Sequence, residues 1–224
     1  VSVDLSAARA APGVIAILAA GDLPRPVDVS PSVHDEPLLA ADEVLFHGQP
    51  IFLVIAESHL AARRAARLGT IEYEDLPAIL TIDDALVAGS VIEPAVEYLR
   101  GDPDAAIAAA PRRVEGAFEI GGQEHFYLEG QVSWAIPGEG GEMTVHASTQ
   151  HPSEIQHKVA DALGAPMSAV RVEVRRMGGG FGGKESQANA LAVACALAAE
   201  MTGRPAKMRY DRDDDMVITG KRHP

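Results

Sequence analysis

The residues with the most chemical promise lie in one run, Arg175-Arg-Met-Gly-Gly-Gly-Phe-Gly-Gly-Lys-Glu185. Five glycines between 178 and 183 remove side chains where a ligand or a second stretch of backbone must approach closely. An alternating strand pattern at 170–176 precedes the run, and an apolar helical pattern from about 185 to 201 follows it. A helix starting there presents free N–H groups and partial positive charge to the loop, which suits an oxyanion or a phosphate. A tight strand-to-helix turn alone needs only two or three glycines. Glu185 is the anomaly. A carboxylate is welcome in a first helical turn, and beside a glycine-lined hollow it can instead grip a polar substrate. These residues alone leave both uses open.

Two phosphate motifs nearly fit. Gly178-x-Gly180-x-x-Gly183 has the dinucleotide spacing, and Asp211 ends the next strand pattern, where a ribose-binding carboxylate belongs. Asp211 lies 28 positions past Gly183 rather than about 20, and a glycine-rich run meets the spacing almost by composition. Gly178-x4-Gly183-Lys184 resembles a P-loop, but Glu185 stands where a magnesium-binding Ser or Thr belongs and would repel a triphosphate by a few kcal/mol.

The elements that position this loop read as follows. Strand patterns fall at 13–19, 51–56 and 70–74, with a helix over 59–68 capped by Ser58, so that 51–74 suggests a βαβ or split βαβ unit. Residues 21–43 read as loop. Short helices follow at 82–88, capped by Thr81, and after Asp102-Pro103. The character changes near 111–116, where a domain boundary is expected. Residues 112–120 read as a strand, 131–136 and 142–148 as a hairpin, and 152–163 as an amphipathic helix stopped by Gly164. Lys207 to Tyr210 is a strand pattern, and Asp211 caps a last turn over 213–218.

Composition narrows the function classes. The chain has 224 residues, with net charge −13 from 19 basic and 32 acidic side chains. That balance argues against nucleic acid and anionic membrane as partners, since both select a basic face. The most apolar stretch, 188–199, is too short for a bilayer span of about 20 residues. One cysteine, Cys195, excludes an internal disulfide and any Cys-rich metal site, and a cytoplasmic protein is expected. The absent initiator Met and the ending Arg222-His-Pro224 suggest a piece of a longer chain.

Gly121-Gly-Gln-Glu-His-Phe-Tyr-Leu-Glu129, followed about fifty residues later by Arg176-Met-Gly-Gly-Gly-Phe-Gly-Gly-Lys-Glu185, resembles the molybdenum-binding subunit of the xanthine dehydrogenase family. Ser148-Thr-Gln150, Thr202-Gly-Arg-Pro205 and the run from Asp211 to Gly220 agree with it. The resemblance implies an α+β chain: a partial α/β hammerhead domain over 1–111, then the first segment of a molybdopterin-binding domain over 112–224. It implies oxidative hydroxylation of a purine such as xanthine, with oxygen from water. The metal would be held by the dithiolene of molybdopterin. Electrons would leave through 2Fe-2S clusters and FAD to NAD, in other domains or subunits, and an oligomeric full-length form is expected. By the same resemblance Gln123 would hydrogen-bond an oxygen ligand of molybdenum. Phe181 and Gly182 would lie beside the metal. Glu185 would orient the purine, and since related aldehyde oxidases have an apolar residue there, it favours purine over aldehyde.

The family's general base, the arginine facing Glu185 and the aromatic pair around the ring lie downstream of Pro224. No residue here takes the base role, Glu124 and Glu129 included. Glu154-x-x-His157 reads as a surface helix pair, since such metal motifs come in two copies. His125 reads as a hydrogen-bonded structural imidazole, Cys195 as a small buried hydrophobe, Asp213–Asp215 as a solvated helix start, and Arg63, Arg64 and Arg67 as surface residues. Two rival readings remain: an NAD-binding Rossmann oxidoreductase built on Gly178, Gly180 and Gly183, and a non-catalytic assembly domain.

Overall fold

The helix Ala188–Thr202 governs the architecture. Its sequence ANALAVACALAAEMT offers almost no polar side before its last turn, and a helix apolar all round must be covered all round. Eleven of its residues, among them Leu191, Val193, Cys195 and Leu197, are buried. Gly203, at φ 61°, closes it in the left-handed conformation that glycine adopts without a Cβ clash. The helix starts at Ala188, so Glu185 belongs to the loop and not to a first helical turn.

The structure is a computed structural model that describes residues 2–222. The first residue and the last two, which belong to the termini read as cut, lie outside the described residues. In chain order the first elements are β1 (Ser2–Asp4), α1 (Ser6–Arg9), β2 (Val14–Ala19), β3 (Phe52–Ala56), α2 (His59–Ala66) and β4 (Thr70–Glu72). Then come α3 (Ile82–Ala88), α4 (Pro103–Ala109), β5 (Val132–Pro137), β6 (Met143–Ala147), α5 (Pro152–Leu163), β7 (Val170–Glu173), α6 (Ala188–Thr202), β8 (Ala206–Arg209) and α7 (Arg212–Ile218). The chain divides into two compact units. Val3–Ile71 and the segment from Gly121 onward share one, while Glu72–Ile120 makes up most of the other.

In the larger unit the sheet order is β7-β6-β5-β8. The expected hairpin forms, with Ser133 opposite Ala147 and Pro137 opposite Met143. β8 is antiparallel to β5, and β7 is parallel to β6. Alternation puts Ser133, Ala135, Met143, Val145 and Ala147 on the buried face. α5 contributes Ile155, Val159, Ala160 and Ala162 to the same core, and Leu18, Val27, Val29, Leu38, Leu39 and Ile55 from the first part of the chain join it. A single core thus unites residues on both sides of the intervening unit. Two polar ties cross it: Asn189 Nδ2 donates to Val29 O (3.1 Å), and buried Lys158 reaches Asp28 Oδ1 (3.4 Å).

Two expectations fail. The run 51–74 closes as neither βαβ nor split βαβ, because β3 and β4 lie in separate sheets; β3 pairs with the preceding β2, antiparallel, with Leu18 opposite Leu53. Residues 112–120 form no strand and are exposed throughout; a strand needs a neighbour for its N–H and C=O groups, and none of the described residues provides one. Arg63, half-buried at the surface beside exposed Arg64 and Arg67, pairs its guanidinium with Asp211 and Asp214 (2.9 Å) at the start of α7.

The Glu72–Ile120 unit has two short helices with the expected caps. Thr81 Oγ1 accepts from Asp84 N (3.1 Å), and Asp102 Oδ1 accepts from Ala105 N (2.9 Å). Its apolar side chains are largely exposed, Ile92 and Val114 almost fully.

Ile155 is fully buried in the shared core. Ile155→Ala should lower unfolding free energy by about 2–5 kcal/mol in a urea titration; a loss near zero would mean that α5 does not help to hold the sheet.

Candidate functional site

The two long motifs pack on each other. A Cβ on Gly183 would fall 2.7 Å from His125 Cγ and 2.8 Å from Tyr127 Cε1, and one on Gly180 would fall 2.5 Å from Gln150 Oε1. Side chains there would drive the loop off its support. Gly180 and Gly183 therefore admit protein at close range. His125 serves as this packing surface, and its ring makes no hydrogen bond among the described residues.

Four of the loop's amides are bonded to protein. Gly178 N donates to Glu129 Oε2 (2.8 Å), Gly183 N to Gly180 O (2.7 Å), and both Gly182 N (3.0 Å) and Lys184 N (3.2 Å) to Gln150 Oε1. Gln131 Nε2 donates to Gly183 O (3.0 Å). α6 begins at Ala188, several residues past Gly183, so its N-terminus does not open directly from the glycine loop as the phosphate reading expected. The topology also departs from a Rossmann unit: β8, the strand after α6, lies at the far edge of the sheet, with β6 and β5 between it and β7.

Lys184 is the residue that the pattern least reveals. Read as a P-loop lysine it would point outward, yet its side chain is wholly buried. Nζ donates to Glu129 O (2.6 Å), Glu129 Oε2 (3.2 Å) and Ser148 Oγ (2.7 Å), and lies 4.6 Å from the Tyr127 ring centre. Burial lowers the pKa of the ammonium by more than Glu129 restores. Burial also presses the Glu129 carboxyl upward, but Gly178 N–H, the Ser148 hydroxyl and Lys184 outweigh it and hold Glu129 below its ordinary value.

Behind this pair stands Asp215, buried rather than part of a solvated helix start. It accepts from Tyr127 OH (2.7 Å) and Gln131 N (3.0 Å). Burial and this carboxylate hold the Tyr127 phenol well above its usual range. Arg212 Nη2 donates to Tyr127 O (2.8 Å) and Leu128 O (2.9 Å), with its guanidinium 5.4 Å from the Phe126 ring centre. Elsewhere, Glu154 turns inward to His151 (3.1 Å) and Asn189, while His157 pairs with Asp161 (3.3 Å), so Glu154 and His157 are not a pair. Cys195 is buried, and burial pushes its thiol up to about 12.

The residues predicted from the sequence lie on the outer side of this scaffold. Phe181 has φ 53° and is 75% exposed. A left-handed non-glycine residue costs about 1–3 kcal/mol and persists only where its surroundings impose it. Gly182 has φ 89°, and a Cβ there would meet only His125 Nε2, at 3.9 Å, so its face is open. Gln123 exchanges backbone hydrogen bonds with Arg222 (3.1 and 2.9 Å), and its side chain is exposed. Glu185 is exposed three residues before α6. The structure sets Gly182 beside His125 of the first motif, and no hydrogen bond links Gln123 with Glu185 among the described residues. The sequence reading assigned no role to Lys184, Glu129, Gln150, Tyr127 or Asp215; their presence in the two motifs, in Ser148-Thr-Gln150 and in the Asp211–Gly220 run was the available signal.

Hydrogen-bonding side chains, an exposed ring and an open glycine face suit a cofactor held by contacts to its organic part. Among the described residues no group of three His, Cys, Asp or Glu side chains could hold a metal ion. The family model for "Molybdopterin cofactor-binding domain" matches residues 87–224, and that for "Aldehyde oxidase and xanthine dehydrogenase, a/b hammerhead domain" matches 1–77. Solved relatives share the fold. Quinoline 2-oxidoreductase from Pseudomonas putida 86 has TM-score 0.83 and 27% identity over 96% of this chain and 29% of its own. Aldehyde oxidoreductase from Desulfovibrio gigas has TM-score 0.80 and 28% identity over 99% of this chain and 26% of its own. The fold is thus that of the molybdenum hydroxylase class. The xanthine dehydrogenase/oxidase of Mus musculus is 45% identical over all of this chain and 17% of its own length, and the xanthine dehydrogenase of Dictyostelium discoideum 43% over all of this chain and 16% of its own. The chain belongs to the molybdopterin cofactor-binding domain family, whose model matches more than half of it, and spans about a sixth of the length of these relatives.

Because Glu129 is held below its ordinary value of 4.5, its charged form stabilises the fold above that pH, and the contribution is lost as pH falls through the lowered value. Stability should fall with acid below about pH 4.5, and Glu129→Gln should flatten that fall in urea titrations across the window. Equal slopes for the two proteins would show that the carboxylate does not stabilise the loop.

Proposed function

We propose that the protein to which this chain belongs oxidatively hydroxylates a purine such as xanthine, with oxygen from water, at a molybdenum–molybdopterin centre beside Gln123, Phe181 and Gly182. The observation that carries this reading is the pair Phe181–Gly182, both left-handed, one exposing its ring and the other an open face. Their loop is anchored from behind and leaves that side free. The 43–45% identity to xanthine dehydrogenases favours purine chemistry over that of the more distant aldehyde oxidoreductase.

When bound, molybdopterin supplies a two-electron redox centre. This chain's residues would bind and orient. The Gln123 amide donates a hydrogen bond without adding charge. The missing side chain of Gly182 allows close approach, and the Phe181 ring shields the approach from water. The Glu185 carboxylate accepts from a purine N–H, a charge-assisted bond worth about 1.5–3 kcal/mol. No residue of this chain removes the proton that starts the reaction; that base belongs to a later part of the protein. FAD, 2Fe-2S and NAD sites belong to other domains or subunits, and the boundary near residue 111 separates a partial hammerhead from the cofactor-binding segment.

In the full-length protein from its own host, molybdenum should approach one atom per polypeptide. Glu185→Ala should leave that content intact while lowering xanthine turnover about 100-fold. Metal-free protein from a molybdate-supplied host, or an undiminished rate in Glu185→Ala, would defeat the respective part of the proposal. The chain by itself should show no xanthine-dependent dye reduction, and measurable reduction would refute the assignment of the base to a later segment.

A further inference from the structure

We infer that Gln150 is a positioning residue for the Phe181–Gly182 turn, acting through the loop backbone rather than touching substrate; this rests on the function proposed above. Three observations converge on it. The amide oxygen of Gln150 accepts from both Gly182 N (3.0 Å) and Lys184 N (3.2 Å), spanning the turn that sets the open face. The backbone N of Gln150 donates to Lys184 O (2.8 Å), so one residue grips both polar groups of Lys184. Gly180 leaves room for this side chain, since a Cβ there would lie 2.5 Å from Gln150 Oε1.

Its neighbours make the grip rigid. Thr149 Oγ1 donates to Lys184 O (3.2 Å) and accepts from His151 N (2.9 Å), which leads into α5. Ser148 Oγ joins Lys184 Nζ (2.7 Å) and Glu129 Oε2 (2.6 Å). Ser148-Thr-Gln150 is thus a three-residue bracket at the end of β6: two members fix Lys184 from below, and the third fixes the turn from above. Gly182 N and Lys184 N turn toward one oxygen only while the segment between them stays folded around it. Without that acceptor the two amides need water, and the left-handed Phe181 loses one of the constraints that hold it.

Gln150 is itself exposed, so exchanging it leaves the core alone. Gln150→Met removes the acceptor at similar length, and Gln150→Glu keeps an oxygen in its place. Both are made in the full-length protein purified from its own host. The measurements are molybdenum per polypeptide, kcat and KM for xanthine, and amide hydrogen exchange of the peptide covering Gly178 to Glu185. For Gln150→Met, exchange in that peptide should quicken about tenfold while the rest of the protein is unchanged. Its kcat should fall about tenfold or more with KM within about threefold, since a misplaced turn costs the reacting geometry more than binding. Gln150→Glu should restore both. Wild-type exchange in Gln150→Met overturns the inference, as does quickened exchange with undiminished kcat, or failure of Gln150→Glu to restore the loop. If the wild type holds no molybdenum and does not turn over xanthine, the proposed function fails instead, and the exchange comparison alone still decides whether Gln150 holds the turn.

Discussion

A single ammonium, Lys184 Nζ, is surrounded by protein and joined to Glu129 and Ser148. A buried charge left without partners costs several kcal/mol, so each group that reaches it is held to its place. Glu129 closes the first motif, Ser148 directly follows β6, and Lys184 ends the glycine loop. One cation thus ties together three segments that are far apart in sequence. Everything exposed on the loop inherits its position from that knot, including the left-handed Phe181. The glycines keep the spacing short enough for the knot to form, which explains why so many occur where a simple turn needs fewer.

The sequence made the local elements readable and left the connections between them obscure. Ser58, Thr81, Asp102 and Asp211 all cap the helices that their patterns announced, because a cap is a bond between near neighbours. The pairing of β3 with β2 is not such a bond, since it spans the long loop of residues 21–43, and the βαβ expectation failed there. The strand pattern at 112–120 failed for a related reason: alternation describes a face, whereas a strand also needs a partner. Lys184 and Asp215 show the same limit for charges. Asp215 reads as part of a solvated helix start and Lys184 only as a P-loop letter, and only the folded chain reveals that Tyr127 and Glu129 bond to them.

The candidate site was legible through motif resemblance, yet its mechanics were not. Gln123, Phe181, Gly182 and Glu185 stood out as residue types with uses, while Gln150, Glu129 and His125 were part of the lettering around them. Their work is done through backbone amides and close contacts, and such work has no signature in residue type. A glutamine that accepts two N–H bonds looks, in a string of letters, like any glutamine at the end of a strand.

The shared core has another consequence. Val29 and Asn189 are bonded to each other across 160 positions of chain, and the Glu72–Ile120 unit is an excursion between the two halves of that core. Closing so long a loop is an entropic burden that grows only logarithmically, so doubling the excursion would add about 0.6 kcal/mol. The excursion is therefore where this family can lengthen, shorten or decorate its chain at little thermodynamic penalty. The same separation makes assembly slow, since α6 finds its full cover only after the earliest and latest parts of the chain have met.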